Sequence, residues 1–144
     1  MLTAVRITNN EQVEDLRQMR NACRGTYTND NSYITKGMQR VFWKKNKDNI
    51  VGFLYYNDSD LIGFGILKKI DSKYYSSVGV HPLAQGHGYG KELTHMLINS
   101  IPDDVWGVAL DDNIGGIKMH TKEDWEFVSD DGKITTFHTL KGRK

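Results

Sequence analysis

Val80-His81-Pro82-Leu83-Ala84-Gln85-Gly86-His87-Gly88-Tyr89-Gly90-Lys91 joins two different sequence patterns. Before it, Tyr74 to Val80 reads as a strand; after it, Tyr89, Leu93, Met96, Leu97 and Ile101 recur at helical spacing until Pro102 closes the segment. A strand-to-helix link of this kind collects the unpaired N–H groups of a first helical turn and the positive end of the helix dipole. It is built to hold an anion. Gly86, Gly88 and Gly90 let phosphate oxygens approach those amides and permit positive φ, and Gln85, His87 and Lys91 can add side-chain donors around the same anion.

Two common phosphate motifs fail at specific positions. A Walker A loop ending at Gly90-Lys91 needs Gly at 85 and Ser or Thr at 92, where this chain has Gln85 and Glu92. A dinucleotide fingerprint beginning at Gly86 needs Gly or Ala at 91, where the chain has Lys91.

Working outward, Thr3 to Thr8 alternates as a strand, and Asn9 or Asn10 offers a cap to a helix with Val13, Leu16, Met19 and Cys23 on one face. A second helix ends near Asn46, with Met38, Val41, Phe42 and the stem of Lys45 expected inward. Ile50 to Tyr56, Leu61 to Ile70 and Tyr74 to Val80 are separated by short turn clusters, which implies an antiparallel meander. Val105 to Leu110 reads as a buried strand that should lie parallel to the one ending at Val80, because a helix connects them. A weaker helix from Asn113 to about Glu123 and a hairpin of Trp125 to Val128 with Ile134 to Leu140 complete the chain. The expected order is β-α-α-β-β-β-α-β-α-β-β: an α/β (α+β) fold with a mixed, mostly antiparallel seven-stranded sheet flanked by about four helices.

A length of 144 residues predicts one domain over residues 1–144, able to bury roughly 70% of its unfolded surface. Nineteen basic residues against eighteen acidic ones remove the broad positive footprint of a phosphate-backbone binder, so nucleic acid is not the expected partner. A lone cysteine, Cys23, cannot form an internal disulfide and is expected as a small buried hydrophobe. With no signal-like or membrane-length apolar run, a cytoplasmic protein without a membrane partner is expected. His81, His87, His95, His120 and His138 include no helical ligand pair around a Glu, so no metal is expected.

The run Val80-x-Pro82, then Gln85-x-x-Gly88-x-Gly90, resembles motif A of the GNAT (GCN5-related N-acetyltransferase) superfamily, and the order of elements matches that family across essentially the whole chain. The resemblance implies an acyl-CoA-dependent N-acyltransferase, with acetyl-CoA or another acyl-CoA as cosubstrate and Gln85, Gly86, His87, Gly88, Tyr89, Gly90 and Lys91 around its pyrophosphate. It also implies pantetheine contacts from Val78, Gly79 and Val80, with a strand bulge at Gly79, unless that glycine serves tight packing, and an oxyanion donor at the N–H of Val80 or nearby. The acceptor would be a primary amine of a small molecule, amino-sugar or peptide, chosen by the segment from Arg20 to Trp43 and the final hairpin. A homodimer is left open.

The family's pattern after the fifth strand is only partly met. Asn113 fits as a cofactor contact or as an ordinary helix cap. The tyrosine that often protonates the departing thiolate is replaced by His120, which is expected to take the general-acid place or hold a water there, unless it is an exposed helix residue. Tyr74 to Val80 holds no carboxylate, so Asp111, Asp112 and His81 are the nearest candidates for a base, each with a turn or surface role as the other reading. A non-catalytic module of the same fold that binds CoA or a partner is the alternative function.

Overall fold

In the computed structural model, which describes residues 1–23, 33–110, 125–130 and 134–139, seven strands form one sheet in the order β1-β2-β3-β4-β5-β7-β6. The strands are β1 (Leu2–Arg6), β2 (Ile50–Asn57), β3 (Asp60–Ile70), β4 (Lys73–Val80), β5 (Val105–Leu110), β6 (Trp125–Asp130) and β7 (Ile134–Thr139). Three helices accompany them among the described residues: α1 (Asn10–Ala22), α2 (Lys36–Asn46) and α3 (Tyr89–Ile98). Every neighbouring pair is antiparallel except β4 with β5, as the sequence predicts for two strands joined through a helix. The expected helix from Asn113 to Glu123 lies outside the described residues. No helix among the described residues is long and apolar enough to cross a membrane.

Local chemistry accounts for the boundaries. Asn9 caps α1 by accepting from the N–H of Gln12, whose side chain reaches back to the N–H of Asn9 in a capping box. Thr35 caps α2 through the N–H of Met38. The β3–β4 hairpin turns at Asp71 and Ser72, both at positive φ, the backbone that a two-residue type I′ turn needs to match the strand twist.

The sheet has two covered faces. Ile7, Ile50, Leu54, Phe64 and Ile66 meet Val13, Leu16 and Met19 of α1, with its C-cap Cys23, on one face. On the other, Leu67 and Val105 pack with Leu97 and Ile98, and Tyr55 and Ile62 pack with Leu93, so α3 closes that side. Two glycines let α3 come close. A Cβ on Gly63 would stand 2.9 Å from a methyl of Leu93, and one on Gly65 would stand 3.2 Å from a methyl of Leu97. The α3 helix ends at Ile98, short of the expected stop at Pro102, with Asn99 as its C-cap; Ile101 still packs on the core from beyond the helix.

The α2 helix differs from expectation. Met38 and Val41 are 49% and 68% exposed, and Lys45 is exposed too. The inward face is instead Gln39, Phe42 and Trp43, rotated by about one residue. Gln39 can be buried because its Oε1 accepts from Arg20 at 3.0 Å, and that polar tie overrides the apolar count.

Tyr55 is fully buried and its hydroxyl has no hydrogen-bond partner, lying 2.7 Å from where a Cβ on Gly65 would stand. An unmade hydrogen bond on a buried donor is destabilising. Tyr55→Phe should therefore raise the unfolding free energy by about 1 kcal/mol. Urea denaturation of both proteins checks this, and a destabilised phenylalanine variant would mean that the hydroxyl has a partner in solution.

Candidate functional site

The β4 strand keeps its ladder with β3 to the end, from Ile70–Lys73 to Gly63–Val80, but pairs with β5 only from Tyr74–Val105 to Ser76–Gly107. Meanwhile β5 continues to Leu110 against β7. The two parallel strands therefore part after Ser76, and Ser77 to Val80 face an opening. Alternation decides which groups line it. The N–H of His81 donates to the carbonyl of Ile62 at 2.8 Å, so His81, Gly79 and Ser77 turn their backbone groups toward β3. Val78 and Val80 turn theirs into the opening.

This alters the expectation for Gly79. The β3–β4 register has no shift, so Gly79 is not a bulge. Its missing Cβ makes room for the Phe64 ring, whose Cζ would be 2.9 Å away, and for Cys23 Sγ at 3.1 Å. Cys23 is buried, as expected, and its thiol donates to the carbonyl of Val80 at 3.3 Å. Burial pushes that thiol up to about 11, so at neutral pH it is a neutral donor and not a thiolate nucleophile.

Beyond Val80 the chain makes a 3-10 turn at Pro82–Ala84, capped by His81 Nδ1 accepting from the N–H of Leu83 at 3.1 Å. Gln85 folds back and donates from Nε2 to the carbonyl of Val80 at 3.2 Å, fastening the turn to the strand end. Gly86 and Gly88 sit at φ +87° and +78°, and a Cβ on either would meet nothing within 4 Å. These glycines serve backbone conformation and leave the space above the turn open. Gly88 is the N-cap of α3 and supplies no side-chain acceptor, so the first-turn amides gain no cap from it. Tyr89 begins the helix and is held by Asn57, which donates to its hydroxyl at 3.1 Å. The His87 ring lies 5.6 Å from that of Tyr89. His87 and Lys91 are exposed, and a Cβ on Gly90 in the first helical turn would stand 3.9 Å from a methyl of Val80.

An uncapped helix N-terminus thus stands beside an opened parallel pair. The sequence profile of the Acetyltransferase (GNAT) family matches residues 13–124. The chain belongs to this acetyltransferase family. Solved structures agree in fold. An N-acetyltransferase from Staphylococcus aureus Mu50 superposes with TM-score 0.79 at 14% identity, over 98% of each chain. Spermidine N-acetyltransferase from Vibrio cholerae, in complex with CoA and spermine, gives 0.81 at 13% identity over 97% of this chain and 95% of that one. The Campylobacter jejuni N-acetyltransferase PseH, in complex with acetyl coenzyme A, gives 0.71 at 16% identity over 99% of each. No curated protein matches the chain by sequence.

Of the predicted site residues of this GNAT chain, the structure brings together Val78, Gly79, Val80, His81 and the run Gln85 to Lys91. Asp111, Asp112, Asn113 and His120 lie outside the described residues.

A polar clamp that sequence reading did not single out ties α1 to the start of α2. Arg17 donates to both carboxylate oxygens of Glu14, to the Tyr33 hydroxyl at 3.0 Å and to the carbonyl of Ile34 at 3.1 Å. Asn21 exchanges two hydrogen bonds with the backbone of Ile34. The available signal was Arg17 and Asn21 following Val13 at steps of four, a polar stripe bordering the apolar one.

The Arg17 guanidinium, donating to Glu14, holds that carboxyl down from 4.5 to about 2 against the upward push of burial. A carboxylate lowered by folding contributes stability that is present above its unfolded value and lost as pH falls toward the folded one. The difference in unfolding free energy between wild type and Glu14→Gln should hold steady from about pH 7 to 5 and shrink between about pH 4.5 and 2. Urea titrations at several pH values measure it, and a difference that ignores pH would remove Glu14 from the clamp.

Proposed function

We propose that the chain is an acyl-CoA-dependent N-acyltransferase, moving an acetyl group in the simplest case from acetyl-CoA to a primary amine by direct attack. The observation that carries this is the pair of positive-φ glycines leading into an uncapped helix, beside a β4 edge that beyond Ser76 has no partner among the described residues. Family membership supports it, as does the presence of acetyl-CoA or CoA in solved structures of the same fold.

The residues fit such a cosubstrate. Amides in the run from Gly86 to Lys91 take the pyrophosphate, with His87 and Lys91 beside it, because the space above Gly86 and Gly88 is open and the helix dipole favours negative charge there. Val78 and Val80 pair through their backbone with the amide-bearing arm, taking the place that β5 vacates. Gly79 contributes by letting Phe64 and Cys23 pack behind that edge.

The carbonyl of Val80 is already engaged by Gln85 and Cys23, so the N–H groups of Val80 and Val78 face the arm, and the one beside the thioester polarises its carbonyl. A neutral amine then attacks that carbon, the C–S bond breaks, and the thiolate takes up a proton. His120 serves as its source. Asp111 receives the proton released by the amine, or His81 does so at Nδ1 by giving up its cap on the turn, since with Nδ1 accepting from Leu83 the Nε2 already carries the ring proton. Asn113 adds a contact to the cosubstrate.

Gly88→Val tests the centre of the proposal. A β-branched residue is an outlier at φ +78°, so the turn must rearrange and its amides swing away, while no side chain of the core is touched. Calorimetric affinity for acetyl-CoA should fall at least tenfold with a shift of only a few degrees in melting temperature. Unchanged affinity would sink the proposal. Thiol release from acetyl-CoA with an amine panel separates enzyme from module, since binding without release at any amine supports the non-catalytic reading.

A further inference from the structure

On the face of the sheet that packs against α1, a row of aromatic and cationic side chains crosses three strands. Lys68 of β3 stands opposite Tyr75 of β4, which stands opposite Trp106 of β5. The helices complete its inner end. Phe42 of α2 has the Arg20 guanidinium 5.1 Å and the Lys68 ammonium 5.2 Å from its ring centre. Tyr75 and Trp106 have ring centres 6.5 Å apart, and the Lys73 ammonium lies 5.4 Å from the Trp106 ring. Arg20 donates to Gln39 Oε1, and Gln39 Nε2, on a residue only 2% exposed, is a donor with no partner.

The row lies where the parallel ladder ends. Ser76–Gly107 is its last pair, Tyr75 and Trp106 are the pair just before, and Ser77 is the next residue on this face and is exposed. If the proposed function holds, an arm anchored at the turn and running back along β4 brings its thioester toward this point. The amine then arrives across the row.

The geometry points to an acceptor amine that carries an anionic group, a phosphate or a carboxylate, bound by Lys68 and Lys73. Neither lysine has a carboxylate partner among the described residues; the ion pairs there join Glu14 to Arg17 and Asp58 to the N-terminus. Side-chain cations resting on aromatic faces are held in place yet keep their charge available. An anionic group is attracted to them, whereas a polyamine would bring like charge against like. The same field lowers the pKa of the arriving amine, because nearby positive charge disfavours its protonated form. That supplies a neutral nucleophile to a strand that carries no carboxylate of its own.

The test measures thiol release from acetyl-CoA with matched acceptors: glucosamine against glucosamine 6-phosphate, tyramine against tyrosine, and spermidine as the polycation. At least one anionic member should exceed its uncharged-tail counterpart tenfold or more in kcat/KM, chiefly through KM, and the glucosamine and tyrosine pairs tell phosphate from carboxylate. In the full-length double variant Lys68→Gln, Lys73→Gln that preference should fall at least threefold. Equal or better use of glucosamine, tyramine or spermidine overturns the inference, as does transfer to other amines of a wider panel with none to the two anionic acceptors, whereas binding without release at any amine is a failure of the proposed function. Failure of acetyl-CoA to bind at all is the separate failure of the proposed function.

Discussion

The parting of β4 and β5 after Ser76–Gly107 is the constraint on which the rest of this structure depends. A strand that leaves its neighbour exposes N–H and C=O groups that the sheet would otherwise pair, so the gap persists only if both sides are held from elsewhere. On one side β5 is held by β7 from Trp106–His138 to Leu110–Ile134. On the other, β4 keeps its whole ladder with β3, and its last carbonyl is tied by Gln85 and Cys23. The gap is therefore framed, with Val78 and Val80 left to face it.

Framing the gap makes demands on packing at a distance. The turn from Gly86 to Lys91 faces the opening only if α3 lies close on the sheet, and Gly63 and Gly65 let Leu93 and Leu97 reach it. Asn57 pins the first residue of the helix through Tyr89. The unpartnered hydroxyl of Tyr55 lies in the same tight region, where Gly65 and Leu97 leave no room for a partner. Close approach of helix to sheet outweighs one unsatisfied donor, because Leu93 and Leu97 are each fully buried by it and a buried leucine contributes about 1.5–3 kcal/mol.

What could be read in the sequence follows from how local each feature is. The glycine turn, the meander and α1 are encoded by neighbours within a few residues, and the structure reproduces them with ends moved by one or two positions. The α2 face was misread because Gln39 is buried by a partner nineteen residues away, which no periodicity reveals. The bulge expected at Gly79 failed for a similar reason: the cause of that glycine is Phe64 on the next strand. Of the cation–aromatic row, the sequence points only to the segment from Arg20 to Trp43; residues 68, 73, 75 and 106 join it only through strand register and helix docking.

That difference in locality has a chemical counterpart in the proposed reading. The pyrophosphate would be held by backbone amides and a helix dipole, which depend on φ at two glycines and scarcely on which side chains surround them. The acceptor would be held by side chains on the opposite face, each free to change without disturbing the turn. In that reading, binding of the common cosubstrate is built into the chain path, and acceptor choice into replaceable charges. The two meet only at the end of the β4–β5 ladder, where Ser76 and Gly107 still pair and Ser77 already does not. Moving that end by one residue would shift the thioester relative to the row by about 3.3 Å along the strand, as far as a near-attack distance itself. In the proposed reading, the register of a three-pair ladder is therefore what brings the two halves of the chemistry into contact.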